Sequence, residues 1–119
     1  MLQVGLTTLN YHNITLDNPV TWTCNTLKAC DNWTHAQSIY WWNLPDGCFV
    51  KFYEIGNCIG GGKYQFVSDH GQTSGAFKFQ PSKAIRSVMV GKHSNYARRS
   101  DYTPAVCHGE STITVHASK

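Results

Sequence analysis

Few backbone paths are open to the stretch from Cys48 to Gly91. Cys48 to Glu54 alternates as a strand does, with Val50 and Phe52 on one side and Phe49, Lys51 and Tyr53 on the other. Large apolar groups occupy both sides, so this strand is expected to be covered on both faces, as in a sandwich. It runs into Gly56, Gly60, Gly61 and Gly62, four glycines in seven residues, which permit positive φ and a fold-back that side chains would forbid. A second strand starts at Lys63, with Tyr64 and Phe66 opposite Lys63, Gln65 and Val67. Ser68 to Gly75 is a polar turn, Ala76 to Phe79 a short third strand that Pro81 stops, and Ile85 to Val90 a fourth.

The flanking segments fit the same class. Leu2, Val4 and Leu6 share one face of a first strand, and Val20, Trp22 and Cys24 one face of another. The short interval from Cys24 to Cys30 suits a stapled loop or one helical turn. His35 to Trp42 reads two ways: Ala36, Ile39 and Tyr40 fit a helix face, and Ile39 to Trp42 equally fits a buried strand. Leu44-Pro45-Asp46-Gly47 is a turn, with Pro fixing φ and Gly accepting a positive one. Lys92 to Asp101 reads as a long, polar and basic surface loop, and Thr112 to His116 as a closing strand with Ile113 and Val115 inward. The expectation is a single all-β domain over residues 1–119, an antiparallel sandwich with at most one short helix.

Tyr53 and Glu54 close a strand, Gly61 sits in the fold-back, Tyr64 follows three residues later, and Ser87 lies in a late Ile-x-Ser-Val-x-Val strand. In these positions the stretch from 48 to 91 resembles one Greek-key motif of the βγ-crystallin family, as found in small secreted microbial crystallin-like proteins and toxins. The resemblance implies an antiparallel Greek-key course for the strands of the sandwich, and structural roles: the glycine allows the folded hairpin and the serine hydroxyl bonds across it. Residues 1–43 show no second copy of the pattern.

Of the 119 residues 41% are hydrophobic and 13% aromatic, which argues for an ordered core. No apolar run approaches the roughly 20 residues that span a bilayer as a helix. The first residues have neither a basic n-region nor an apolar h-region, so no targeting signal is read there. The five cysteines, Cys24, Cys30, Cys48, Cys58 and Cys107, form no CxxC pair and no zinc-ligand spacing. With low charge and two sequons, at Asn13 and Asn32, they point to an oxidising compartment, hence a mature secreted chain with two disulfides and one leftover thiol. Either Cys48 or Cys58, flanking the fold-back, is expected to be bridged.

The chemistry-bearing residues are sparse. Many microbial crystallin-like proteins bind calcium just ahead of the motif serine, but here Ser82 to Ser87 supplies Lys83 and Arg86 where a hard cation needs oxygens, so no metal and no cofactor are expected. The six histidines match no ligand or catalytic spacing. A secreted ribonuclease, with Glu54, Glu110, Arg86, His93 and His116 as candidates, is the alternative function, although no proton-transfer pair is identifiable. Charge is more informative: between His70 and Ser100 lie Lys78, Lys83, Arg86, Lys92, Arg98 and Arg99 and no carboxylate, in a chain whose net charge is only +3. If the third and fourth strands adjoin, these cations gather on one face that attracts an acidic partner. Trp41 and Trp42 are the second candidate binding group, since adjacent residues cannot both point inward if this is a strand, and one indole should then lie at the surface or under a loop. The leading expectation is a secreted, non-enzymatic binding protein, an effector, toxin or antimicrobial factor that meets a protein, glycan or anionic surface of another cell. Nucleic acid is a weaker candidate partner.

Overall fold

The computed structural model describes residues 1–27, 30, 33–59, 63–96, 98–101 and the backbone of 114–116. Over the described residues it is an all-β sandwich of nine strands: β1 (Gln3–Thr8), β2 (Asn13–Asp17), β3 (Asn25–Thr26), β4 (Ala36–Trp42), β5 (Cys48–Tyr53), β6 (Gln65–Val67), β7 (Gly75–Lys83), β8 (Ser87–Lys92) and β9 (Thr114–His116). The first sheet has the order β7-β4-β1-β2-β9 and the second β3-β8-β5-β6. All neighbours pair antiparallel except β2 and β9, which run parallel.

The order conceals a repeat. Strands β1 to β4 and strands β5 to β8 follow the same path: first, second and fourth lie side by side with the fourth next to the first, and the third crosses to the edge of the opposite sheet. This is a Greek-key course with its third strand lent away. Thus β3 completes the sheet of β5, and β7 completes the sheet of β1. Residues 1–43, which carry no sequence copy of the motif, nevertheless trace it in space.

Alternation builds the core between the sheets. Val4, Leu6, Ile14, Leu16, Ile39, Trp41, Val50, Phe52, Val88 and Val90 point inward and are at most 1% exposed. On β5 the opposite face is covered too: Phe49 and Tyr53 join Trp22, Cys24, Cys58 and Met89 in a second cluster on the outer side of the second sheet. At about 1.5–3 kcal/mol for each large side chain removed from water, this outer layer contributes to stability on the same scale as core residues do.

Several local expectations are corrected. Val20 to Cys24 is not a strand. Trp22 adopts a left-handed φ of 63° and Val20 is 46% exposed, because the chain bends over the sheet edge to seat the indole edge-on against Phe49, 6.0 Å between ring centres. Of the two readings left open for residues 35–42, the strand is the one formed, over Ala36–Trp42. Pro81 does not stop the third strand: β7 runs through it to Lys83. An edge strand tolerates a missing N–H on its open side, and the pairing to β4 skips from Lys78 opposite Ser38 to Lys83 opposite Ala36 around it. The segment after Lys92 forms a 3-10 turn (His93–Asn95), and Arg98 then pairs with Asp101. Ile113 lies outside the described residues.

Cys24 does not staple the loop to Cys30; it bridges Cys58, with Cα atoms 5.8 Å apart. Cys30 is disulfide-bonded as well. Cys48, carried as a candidate bridging residue, is a buried free thiol. Its place on β5 explains this: Cys48 shares the inward face with Val50 and Phe52, whereas the Cys24–Cys58 bridge lies against the outward face. Burial raises its pKa above that of an ordinary thiol, which Lys92 only partly offsets.

Candidate functional site

The outward face of the second sheet is the floor on which two loops close. From β5 come Phe49, Lys51 and Tyr53, from β8 Met89, from β6 Gln65. The first loop is the fold-back after Glu54. Its turn is fixed by Ser87, whose hydroxyl donates to the Ile55 carbonyl and accepts from the Cys58 N–H at 3.1 Å. Glu54 accepts the Tyr64 N–H on its carboxylate at 3.1 Å, and Arg86 donates to the Glu54 carbonyl at 2.9 Å. With these bonds and the bridge to Cys24, Cys58 is held at a φ of 56°. The second loop follows the 3-10 turn. Tyr96 packs on Phe49 with ring centres 5.1 Å apart, and Asp101 donates its N–H to the Trp22 carbonyl at 2.7 Å.

Between these loops opens a cavity of about 250 Å³. Lys51, Arg98 and Arg99 supply its charge, Tyr53 and Tyr96 its aromatic walls, and Met89, Cys58 and Ile59 its apolar surface, with Gln65 at one side. Among the described residues no carboxylate lines it. The Lys51 ammonium lies 4.2 Å from the centre of the Tyr96 ring and 5.4 Å from that of Phe49, and the Arg98 guanidinium 5.1 Å from that of Trp22. Ring quadrupoles attract cations without neutralising them. The hydrogen bond to Asp101 holds Arg98 above its usual pKa and Asp101 below the usual carboxylate range. Burial, with Tyr96 nearby, pushes the Tyr53 phenol up to about 12, so at neutral pH it is a hydrogen-bond donor.

Of the candidate binding residues named from the sequence, Arg98 and Arg99 line this cavity, as do the motif residue Tyr53 and the cysteine Cys58. The others are dispersed, because β7 and β8 belong to different sheets and the premise that they adjoin does not hold. Lys83 covers the Tyr64 ring at 4.7 Å and Arg86 the Trp33 ring at 5.5 Å. Lys92 ends β8 opposite Cys48, and Lys78 pairs with Ser38 on the first sheet. Trp41 is only 1% exposed, its indole N–H donating to the Gln72 carbonyl at 2.9 Å, and is a core residue. Trp42 is 53% exposed on the opposite face. Sequence reasoning missed Lys51, Tyr96 and the second role of Tyr53. The available signal was Lys51 itself, a cation between two aromatics on a face expected to be covered.

Among the described members of the ribonuclease set, Arg86 meets the Glu54 carbonyl but Glu54 and His93 do not converge. Cys48 is level with Lys92 and Tyr53 with Ser87, so Glu54 and His93 lie at opposite ends of the paired strands, roughly 20 Å apart at about 3.3 Å per residue. Glu110 lies outside the described residues, as do Gly61, Cys107 and Asn32, and for His116 only the backbone is described. Among the described residues no group of three His, Cys, Asp or Glu is placed to hold a metal ion, and no helix is long and apolar enough to cross a membrane. Asn13 is exposed, its side-chain oxygen accepting from the Thr7 hydroxyl at 2.8 Å. No known protein family, curated protein or solved structure matches this chain.

Proposed function

We propose that this protein is a secreted, non-enzymatic binding protein of the βγ-crystallin-like class, which engages an acidic partner on the outer face of its second sheet. The observation that carries the reading is the cavity in which Lys51, Arg98 and Arg99 meet, with no carboxylate among its described lining residues. The ring contacts of Lys51 and Arg98 contribute only about 0.5–1 kcal/mol each at exposed sites, and the cations raise the local concentration of anions. The crystallin-like assignment is supported by the doubled strand path and by the Ser87 hydroxyl spanning the fold-back. The disulfides support an oxidising compartment. Such a protein suits action on another cell, as an effector, toxin or antimicrobial factor, through the acidic polymers of its surface.

Retention on polygalacturonate and dextran sulfate columns, against unsubstituted dextran, tests the reading. Lys51→Glu with Arg99→Glu is expected to abolish retention by the acidic polymers, and retention to fall as salt rises over the range in which charges about 8 Å apart become screened. Lys78→Glu, on the other sheet, is expected to leave retention unchanged. Equal retention of the double variant and the parent protein would refute the assignment of the site.

A further inference from the structure

Resting on that reading, the chemistry of the cavity narrows what the acidic partner presents. We propose that the pocket seats a tetrahedral monoester, sulfate or phosphate, carried on a single sugar residue of an acidic polysaccharide. Three features of the site lead there.

The first is charge. Three cations line the cavity and Asp101 offsets one of them through Arg98, which leaves about two positive charges for a ligand. A phosphate monoester carries about −1.5 to −2 near neutrality, and a sulfate monoester −1. A lone carboxylate matches the single charge of a sulfate but presents it on two coplanar oxygens, an arrangement that a single guanidinium already satisfies. The second is direction. Lys51 rises from the floor strand, Arg98 and Arg99 reach in from the loop after the 3-10 turn, and the protonated Tyr53 phenol stands on the floor beside Met89. Donors on separate elements suit an oxyanion whose three terminal oxygens diverge. The third is size and lining. At about 250 Å³ the cavity lies below the roughly 300–1,000 Å³ of sites that enclose drug-sized ligands, so it takes one ring and its substituent while the remainder of a polymer stays in solvent. Met89 and Ile59 give the apolar face of that ring a surface to rest on, and the Gln65 amide is a donor and acceptor for its hydroxyls.

The two methionines make the test direct, because Met89 is in the cavity and Met1 is 70% exposed elsewhere. Protein labelled with carbon-13 at the methionine methyls is titrated with glucose 6-sulfate, glucose 6-phosphate, glucuronate, glucose and inorganic sulfate. The expected result is a saturable shift of the Met89 methyl alone with one or both esters, with glucuronate, glucose and inorganic sulfate at least tenfold weaker. Arg99→Ala, a substitution at an exposed residue that the fold does not use, and Lys51→Ala are each expected to weaken ester binding at least fivefold, with near-UV circular dichroism unchanged. Glucuronate binding as tightly as the esters overturns the tetrahedral group; inorganic sulfate binding as tightly overturns the sugar, leaving an ion site only. An affinity that ignores both substitutions overturns the pocket. Should acidic columns still retain the protein through Lys51 and Arg99 while no ester moves Met89, the monoester inference falls and the acidic-partner reading stands; loss of both results removes both.

Discussion

Trp41 and Trp42 are adjacent in the chain and occupy opposite environments, one indole at 1% exposure and the other at 53%. Trp41→Ala is expected to cost about 3–5 kcal/mol, the range for emptying a core aromatic site, and Trp42→Ala no more than about 0.5 kcal/mol, as for surface substitutions; guanidinium unfolding of the two variants measures the difference. Tyr53 supplies a pH test. Its folded pKa, about 12, lies above the unfolded value near 10, so folding favours the protonated phenol. That stabilisation is complete below pH 10 and is lost as pH rises through 12. Burial also raises the pKa of Tyr40 and of Tyr64, so ultraviolet titration at 295 nm is expected to show several tyrosines ionising late, and replacement of Tyr53 by Phe to remove the step at about 12. At this scale the sequence was most legible where a residue's role is local. Ser87, Glu54 and Tyr64 act across one fold-back and carry a pattern for it, whereas Lys51 acquires its role from Tyr96, forty-five positions away, and nothing in the spacing of the two residues shows that they meet.

Among the elements, those with a buried face on each side were read closely. The alternation of Cys48 to Tyr53 gave strand β5 and both of its covered faces, because inward and outward residues are decided by a period of two. The same alternation misled at Val20 to Cys24, where three apolar residues share a parity but Trp22 is drawn over the sheet edge by Phe49. It misled again at Pro81, since edge and central strands look alike in one sequence and only an edge accepts proline. The fold-back itself depends on the bridge at Cys58 for its tether to Cys24. Replacing Cys24 and Cys58 together by Ser is expected to cost about 2–5 kcal/mol. The loss should also reduce polymer retention at temperatures where the protein remains folded, because Cys58 and Ile59 form one wall of the cavity. Thermal melting and column retention on the same variant separate the two effects.

For the whole molecule, the exchange of third strands between halves could not be read from the chain. The hairpin between β1 and β2 closes with a short turn in which Tyr11 takes a φ of 64°, and Leu9 donates its N–H to the His35 carbonyl at 3.0 Å. No glycine run or serine is needed there, so the first half leaves no trace of the motif that it follows. Because each half completes its sheet with a strand from the other, fragments 1–45 and 46–119 are each expected to lack stable β structure alone and to regain it when refolded together. Far-UV circular dichroism of the fragments and of their mixture checks this, and a native spectrum from either fragment alone would contradict the interlock.

The lending of β7 to the first sheet also sets a schedule for synthesis. Strands β1, β2 and β4 have all been made once Trp42 is joined, but the strand that covers the open edge of β4 ends at Lys83. At about 5–20 residues per second the ribosome needs about 2–8 s for the intervening 40 or so residues. Over that interval the nascent sheet offers other chains an unpaired edge beside the Trp41 indole, the kind of edge that seeds strand addition between molecules. Yield from a living cell will therefore depend on how quickly residues 43–83 are translated and shielded, a vulnerability that ends once the completed chain has closed both of its sheets.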